Sequence, residues 1–235
     1  MRIRQIVLAG VAGLTLHAWA ADEVTDTIQA AYGPYRAALF RTNSNSQPEA
    51  QQAIASARQS WQAVSARFAA KPPPPYDRDP VFSAALDQVA AIYAKADLQV
   101  RDGQLAQAHE TLEEARDVIA LLRQRNGVVT YSDHMNAYHS EMEHVIGEGA
   151  KTLDGPQQAM LLMARVGVLE YLARRLRSEA PATLVREPEF GPALQAVEGS
   201  VVALRSAVLS QDAPAIRQAI DKLKGPYSRM FLKFG

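Results

Sequence analysis

The sequence predicts an all-α protein made of two tandem up-and-down four-helix bundles that arose by internal duplication. Apolar residues recur three and four positions apart along most of the chain, and the strict alternation typical of strands is nearly absent. A composition of 48% hydrophobic and 7% aromatic residues, rich in Ala and Leu, also favours helices. The second half repeats the apolar pattern of the first at an offset of 107 or 108 residues, which indicates a copied unit.

Residues 1 to 20 are predicted to be an export signal. Arg2 and Arg4 precede an apolar run over residues 6 to 16, which is too short to span a bilayer, and Ala18-Trp19-Ala20 forms a small-x-small cleavage site. Cleavage would remove two arginines and no acid from a total of 25 basic and 25 acidic residues. We therefore expect a periplasmic protein with no membrane span in its mature chain and no nucleic-acid partner, which a basic excess would have indicated.

The chain contains no cysteine. This excludes disulfides, thiolate metal sites and covalently attached c-type haem. Any bound metal must be held by His, Met, Asp, Glu or backbone oxygen.

The first predicted bundle, residues 21 to 130, shows four helical segments with clear boundaries. The first is expected to kink at Gly33-Pro34, a proline run at residues 72 to 75 separates the second from the third, and Gly103 and Gly127 mark the ends of the third and fourth. The apolar seam of the first helix is Val24, Ile28, Tyr32, Tyr35 and Leu39. That of the second is Ile54, Ala57, Trp61, Val64 and Phe68.

The second predicted bundle, residues 131 to 235, should contain helices near 132 to 152, 156 to 178, 188 to 209 and 213 to 234. Gly225-Pro226 is expected to distort the last of these. An offset of 107 places the first seam on Tyr131, Met135, His139, Met142 and Ile146. A single eight-helix structure with a shared core is the alternative architecture.

Residues 132 to 146 are the richest stretch in metal-ligand types, with three of the five histidines, two methionines and three acids. On a helix, His139 points in roughly the same direction as Met135 and Met142. Glu143 lies one turn further on, and His134 lies at the other edge of the apolar arc. These five residues are the predicted metal ligands, and imidazole with thioethers favours copper. A set of Glu143, Glu170 and His134 would instead favour iron or zinc, and core packing by the methionines is the competing interpretation.

Other chemistry-bearing residues form weaker patterns. His109 and Glu113 are spaced i, i+4 beside a seam and are interpreted as a surface pair, and His144 is expected to be solvated. The sequence contains no Ser/His/Asp grouping or glycine-rich phosphate loop, so we predict no catalytic residue, and an enzyme only through a bound metal.

The predicted helical architecture resembles that of two known families. A cysteine-free helical unit with His134 near its start and Met230 near its end resembles the periplasmic four-helix-bundle cytochromes of the b-type and c-prime kind. That resemblance implies a haem b between these two residues. The chain departs from the c-prime kind by lacking Cys-x-x-Cys-His and from the b-type kind by placing His first and Met last. Two fused helical bundles are also similar to the imelysin-like iron-uptake proteins, whose His-x-x-Glu marker is replaced here by His139-Ser140-Glu141-Met142.

Three functional hypotheses follow. The first is an exported metal-binding carrier, buffer or sensor, with copper preferred and iron or zinc as other choices. The second is a non-catalytic scaffold or interaction module for an envelope protein. The third is a b-type haem-binding electron-transfer protein.

Overall fold

The computed structural model of the chain describes residues 22 to 44, 46 to 149 and 156 to 235. Within these ranges it is α-helical, with a 3₁₀ turn at Tyr76–Arg78 and no strand, which confirms the predicted all-α class. The predicted export signal lies outside the described residues. The helices are Glu23–Asn43 (α1), Gln47–Phe68 (α2), Phe82–Arg101 (α3), Leu105–Arg125 (α4), Tyr131–Gly149 (α5), Pro156–Ser178 (α6), Ala182–Val185 (α7), Phe190–Ser210 (α8), Ala213–Asp221 (α9) and Lys224–Phe234 (α10).

The helix ends follow from local chemistry. The Asp22 carboxylate accepts a hydrogen bond from the Thr25 backbone N–H at 2.6 Å and so caps α1. Gly103 and Gly127 follow the C-terminal ends of α3 and α4 with φ angles of +77° and +66°, a conformation that glycine adopts without strain. α1 continues through Pro34 to Asn43.

The prediction of a single helix over residues 213 to 234 is wrong in one respect, because this segment is divided into α9 and α10. The break falls just before Pro226, the third residue of α10. Proline has no N–H to donate to the carbonyl four residues earlier, so a continuous helix would lose a hydrogen bond there. α10 is therefore a separate helix, and it contacts α1, α5 and α8.

The helices pack in two groups that meet along one boundary. α1 packs against α2 and α4, α2 against α3, and α3 against α4. In the second half α5 packs against α6, α6 against α8, and α8 against α9 and α10, while α5 also contacts α9 and α10. The groups meet where α1 contacts α10, and the buried side chains of both halves form one hydrophobic cluster.

The predicted seams are buried. Every residue of the α1 and α2 seams named above lies in the hydrophobic cluster, which confirms the helical register of both segments. In the described ranges, no helix has both the length and the apolar character needed to cross a membrane.

Candidate functional site

A small cleft lies between α1, α4, α5 and α10, where the two halves meet. Its cavity of about 40 Å³ is large enough for roughly three water molecules. We call it the acid–histidine cleft. The residues that line it are Leu39, Phe40, Asn43, His109, Glu113, Arg116, His139, Lys224, Tyr227, Ser228 and Phe231.

Two His-x-x-x-Glu pairs meet at this cleft, His109 with Glu113 on α4 and His139 with Glu143 on α5. Residues four apart share one face of a helix, so each pair presents an imidazole and a carboxylate together. Glu113 Oε1 lies 3.7 Å from His109 Nε2 and 3.9 Å from His139 Nε2. His139 Nε2 lies 3.4 Å from Glu143 Oε1. Two imidazole nitrogens from different helices therefore face one carboxylate oxygen.

The hydrogen bonds of His109 define its tautomer. Its Nδ1 lies 3.0 Å from the Leu39 carbonyl oxygen and 3.2 Å from Thr42 Oγ1. Because a carbonyl oxygen can only accept, Nδ1 carries the proton and Nε2 keeps a lone pair. Burial lowers the pKa of His109, which favours this neutral form. A lone pair and a carboxylate oxygen 3.7 Å apart would both be stabilised by a cation or a donor placed between them.

Two cations balance the two carboxylates. Arg116 donates from Nη1 to His139 Nδ1 at 2.6 Å, and the same nitrogen lies 3.5 Å from Glu113 Oε1. Lys224 Nζ lies 3.2 Å from Glu143 Oε1. The hydrogen bond with His139, together with the charge of Lys224, lowers the pKa of Glu143 to about 2. Because Arg116 occupies Nδ1 of His139 as a donor, the proton of this neutral imidazole lies on Nε2, toward the carboxylates.

Tyr227 of α10 holds the His139 ring in place. The two rings are nearly parallel, with an interplanar angle of 4° and centroids 5.2 Å apart. The Tyr227 hydroxyl donates to the Met135 carbonyl oxygen at 3.1 Å, which ties α10 to α5. The orientation of His139 therefore depends on the position of α10.

The structure separates the five predicted ligands. His139 and Glu143 face each other as described above, while Met135 and Met142 are wholly buried in the hydrophobic cluster and do not line the cleft. His134 lines a different cleft, together with Glu179 and Arg36. Glu170, named in the alternative set, lies 3.5 Å from Arg205.

The residues of the haem resemblance are also apart. Met230 is wholly buried in the hydrophobic cluster, whereas His134 is half-buried in its own cleft, which Met230 does not line.

His109 and Glu113 are the site residues that the sequence interpretation missed. They were expected to form a surface pair, but their side chains are only 21% and 32% exposed and face the cleft. Their spacing matches that of His139 and Glu143, and this shared pattern was the signal available in the sequence. The exposure of His144 confirms its predicted solvation.

No three His, Asp or Glu side chains in the described parts of the chain stand ready, as arranged, to hold a metal ion. In the acid–histidine cleft, Arg116 and Lys224 already neutralise the carboxylates. A metal would therefore have to replace these cations as the partner of the same oxygens.

The chain matches no known protein-family model, and no curated protein or solved structure is significantly similar to it.

Proposed function

We propose that this protein is an exported metal-binding carrier, buffer or sensor that holds divalent iron or zinc in the acid–histidine cleft. The observation that carries the proposal is the position of Glu113 Oε1, 3.7 Å and 3.9 Å from two imidazole nitrogens on different helices. Metal–ligand bonds of about 2.0–2.2 Å place neighbouring donor atoms roughly 3.0–3.6 Å apart. Small side-chain movements would bring the donors of the cleft to those separations.

The donor set gives no special preference for copper and suits iron or zinc. The copper expectation depended on thioether ligands, and Met135 and Met142 lie in the hydrophobic cluster. The donors that remain in the cleft are imidazole nitrogen and carboxylate oxygen, which suit zinc and iron. Cu⁺, which thioether ligands select, should bind weakly here, whereas Cu²⁺ binds sites of imidazole and carboxylate at least as tightly as Zn²⁺.

Metal binding would change the partners of both cations. His139 needs a lone pair on Nε2 to act as a ligand, so its proton would move to Nδ1, and Arg116 would lose its acceptor there. Glu143 would turn from Lys224 to the metal. Lys224 is 40% exposed and can move into water, whereas Arg116 is 15% exposed and stays near the cleft.

Export is part of the same proposal. It is supported by the two arginines, the short apolar run and the small-x-small site in residues 1 to 20. A periplasmic protein would meet metal ions before they enter the cell.

We also infer that the two halves arose by duplication, each as a four-helix bundle. The inference is supported by matching burial at an offset of 107 residues between α1 and α5. Val24 and Tyr131, Ile28 and Met135, and Tyr35 and Met142 are buried in each pair.

The interaction module is a second candidate because α6 is apolar on its outer side. Met160, Leu161 and Tyr171 are 68%, 55% and 53% exposed, and Val168 is 42% exposed. A contiguous group of exposed apolar side chains is typical of a surface that binds another protein. An envelope protein is the partner expected under this alternative.

The decisive experiment compares metal binding by the wild type with that of four single variants. The mature chain, stripped of metal with a chelator, is titrated calorimetrically with Zn²⁺, Fe²⁺ and Cu²⁺, and separately with haem. We expect one equivalent of zinc or iron, with affinity reduced at least about a hundredfold in H109A and H139A. H144A and H134A are matched controls, because these histidines lie on the same helix α5 as His139 but do not line the cleft.

Four results would overturn the proposal. Wild-type protein that binds none of the metals would favour the interaction module, and binding that survives both H109A and H139A would move the site elsewhere. If copper binds to the wild type but not to M135L or M142L, the metal ligands include the methionines. If only haem binds, the haem alternative is favoured.

A further inference from the structure

α6 and α8 form the side of the second half that faces away from the first half, because the two halves meet at α1, α4, α5 and α10. The large apolar side chains on these two helices that are 42% to 68% exposed are Met160, Leu161, Val168, Tyr171, Val202 and Leu209. The corresponding helices of the first half, α2 and α3, have similar lengths but carry only one such side chain, Leu98. An ordinary solvated surface therefore does not explain the apolar face of α6 and α8.

The outward positions of α8 carry no charge. Its two charged residues, Glu198 and Arg205, both point toward α6, where Glu198 lies 2.5 Å from Arg177 and Arg205 lies 3.5 Å from Glu170. The other exposed positions of α8 are uncharged. Depletion of charge, together with exposed Met and Tyr side chains, is typical of the centre of a protein–protein interface. The face is therefore suited to a protein partner.

The same two ion pairs give the register between α6 and α8. Arg177 lies seven residues after Glu170 on α6, whereas its partner Glu198 lies seven residues before Arg205 on α8. The two helices are therefore antiparallel, and each outward residue of α6 can be assigned a level on α8.

Large and small outward residues lie at matching levels on the two helices. Tyr171 of α6 lies about level with Ala203 of α8, and Leu209 of α8 lies about level with Gly167 of α6. A Cβ atom added to Gly167 or to Gly199 would contact nothing beyond its own helix backbone within 4 Å. Each helix therefore has a ridge that stands beside a hollow on the other helix.

A second copy of the chain complements this face by symmetry. A two-fold axis parallel to the helices keeps every level unchanged and places α6 on α8 of the second copy. Tyr171 then packs over Ala203 and Gly199 of the second copy. Leu209 of the second copy packs over Gly167, and both contacts occur twice, as in the isologous interface of a dimer.

We propose that the outer face of α6 and α8 binds a second copy of this chain in this arrangement. The proposal goes beyond metal binding and does not depend on it, because the residues that line the acid–histidine cleft lie on α1, α4, α5 and α10. It also gives the apolar surface of α6 a different occupant from the envelope protein considered above.

The size of the face fits a stable dimer. Helices of 23 and 21 residues are about 30 Å long, and two of them side by side are about 20 Å wide. This gives about 600 Å² in projection, and the accessible surface of interdigitated side chains is larger. A stable complex buries about 800 Å² on each partner, so α6 and α8 together supply the area that α6 alone would not.

The first test is sedimentation velocity of the mature chain over a range of concentrations. We expect a wild-type dimer, and a dimer affinity at least about a hundredfold lower in L209K, because the lysine would place a charge over Gly167 of the second copy. L98K is the matched control, since Leu98 is 60% exposed and Leu209 64%, but Leu98 lies on α3. It should leave the dimer unchanged. Because both side chains are exposed in one copy, both variants should keep the helix content of the wild type in circular dichroism.

The second test is cross-linking, which reports how the two copies are arranged. The wild type has no cysteine, so only introduced thiols react. Val168 of α6 faces Ala203 of the second copy in the proposed dimer. A short bismaleimide should therefore join V168C to A203C when the two variants are mixed, and should join neither variant to itself.

Three outcomes would overturn the proposal. A monomer at every concentration would leave the face free for a different protein. Equal dimer affinity in L209K and the wild type would place the interface elsewhere on the molecule. Cross-linking of V168C to itself would show that α6 lies on α6 of the second copy. The metal titrations are separate measurements, so failure of the dimer would leave the proposed function standing, and failure of metal binding would leave the dimer.

Discussion

The acid–histidine cleft and the Arg123–Asp133 ion pair lie along the same boundary between α4 and α5. In both places a cation of α4 meets a polar group of α5, Arg116 with His139 and Arg123 with Asp133. The backbones of α4 and α5 approach each other less closely than those of the packed helix pairs. Long polar side chains therefore bridge this boundary at both positions.

The two regions differ in burial and in the number of partners. Arg123 is 1% exposed, and its Nε donates to Asp133 Oδ2 at 3.0 Å and to Oδ1 at 3.2 Å. Asp133 also accepts from the Thr130 backbone N–H at 2.8 Å and so caps α5. The Arg123 guanidinium lies over the Tyr32 ring, 5.8 Å from its centroid. Each group in this sealed pair has one fixed geometry.

In the cleft, by contrast, most of the charged contacts are longer and can be exchanged. Glu113 Oε1 has two imidazoles and Arg116 at 3.5–3.9 Å, and Lys224 can reach water. Fixed partners stabilise the fold, whereas exchangeable partners leave room for a ligand. Burial and partner number, rather than residue type, therefore separate the structural ion pair from the candidate site.

The largest effect is expected from breaking the sealed pair. D133A would leave Arg123 buried without its partner and remove the α5 cap, and we expect a loss of about 3–5 kcal/mol in the free energy of unfolding. Urea denaturation followed by circular dichroism measures it. The control is E49A, which breaks the exposed Arg41–Glu49 pair and should cost at most about 1 kcal/mol. Equal losses in the two variants would contradict the assignment of the sealed pair as structural.

E113Q should weaken zinc binding while leaving the stability of the fold almost unchanged. It keeps the shape of Glu113 but removes the charge that faces both histidines, so zinc affinity should fall about a hundredfold. Since the side chain is 32% exposed, the free energy of unfolding should change by less than about 1 kcal/mol. Calorimetry and urea denaturation on one preparation test both parts. A large loss of stability with unchanged affinity would make Glu113 a structural residue.

K224M tests whether the contact between Lys224 and Glu143 can be exchanged for a metal. Removing the cation that competes for Glu143 should tighten zinc binding about tenfold. The control is K222M, which removes the same charge from an exposed side chain two residues earlier and should leave the affinity unchanged. Weaker zinc binding in K224M would show that Lys224 supports the site instead of competing with the metal.

His134 should give the smallest effect. It follows Asp133 directly but lies half-buried in the cleft that Glu179 also lines. Burial lowers the pKa of His134, and the charge of Arg175 lowers it further. Below an unfolded pKa of about 6.5, the unfolded chain binds the proton more readily, so stability falls as the pH falls.

H134Q should reduce this acid sensitivity. The melting temperature, measured from about pH 7.5 down to about pH 5.5, should fall less in H134Q than in the wild type. Parallel curves for the two proteins would mean that His134 does not contribute to the loss of stability at acid pH.

Much of the fold could be predicted from the sequence, because the patterns that define helices and their ends involve residues close together in the chain. The spacing of Ile54, Trp61 and Phe68 predicts a buried face, and these side chains are buried. Gly127 predicts a helix end and follows one with a positive φ. The break between α9 and α10 was foreseen only as a distortion, since a proline near a helix start can end one helix or bend a longer one.

Only part of the candidate site could be predicted from the sequence. The periodicity placed His139 and Glu143 together, because both lie on one helix. It also drew Met135 and Met142 into the same set, although these side chains are wholly buried and His139 lies at the edge of the core. Residues that share a helical face need not share an environment, because the neighbouring helix covers some of them and leaves others open.

The helical class, most helix ends and the inward faces could be predicted from the sequence alone, since each depends on residues a few positions apart. The position of α4 beside α5, where His109 and Glu113 face His139 and Glu143, depends on tertiary packing. So does the position of α10, which brings Lys224 and Tyr227 to the same place. These contacts join residues up to 118 positions apart, from His109 to Tyr227. No spacing within one helix encodes which face of another helix will cover it.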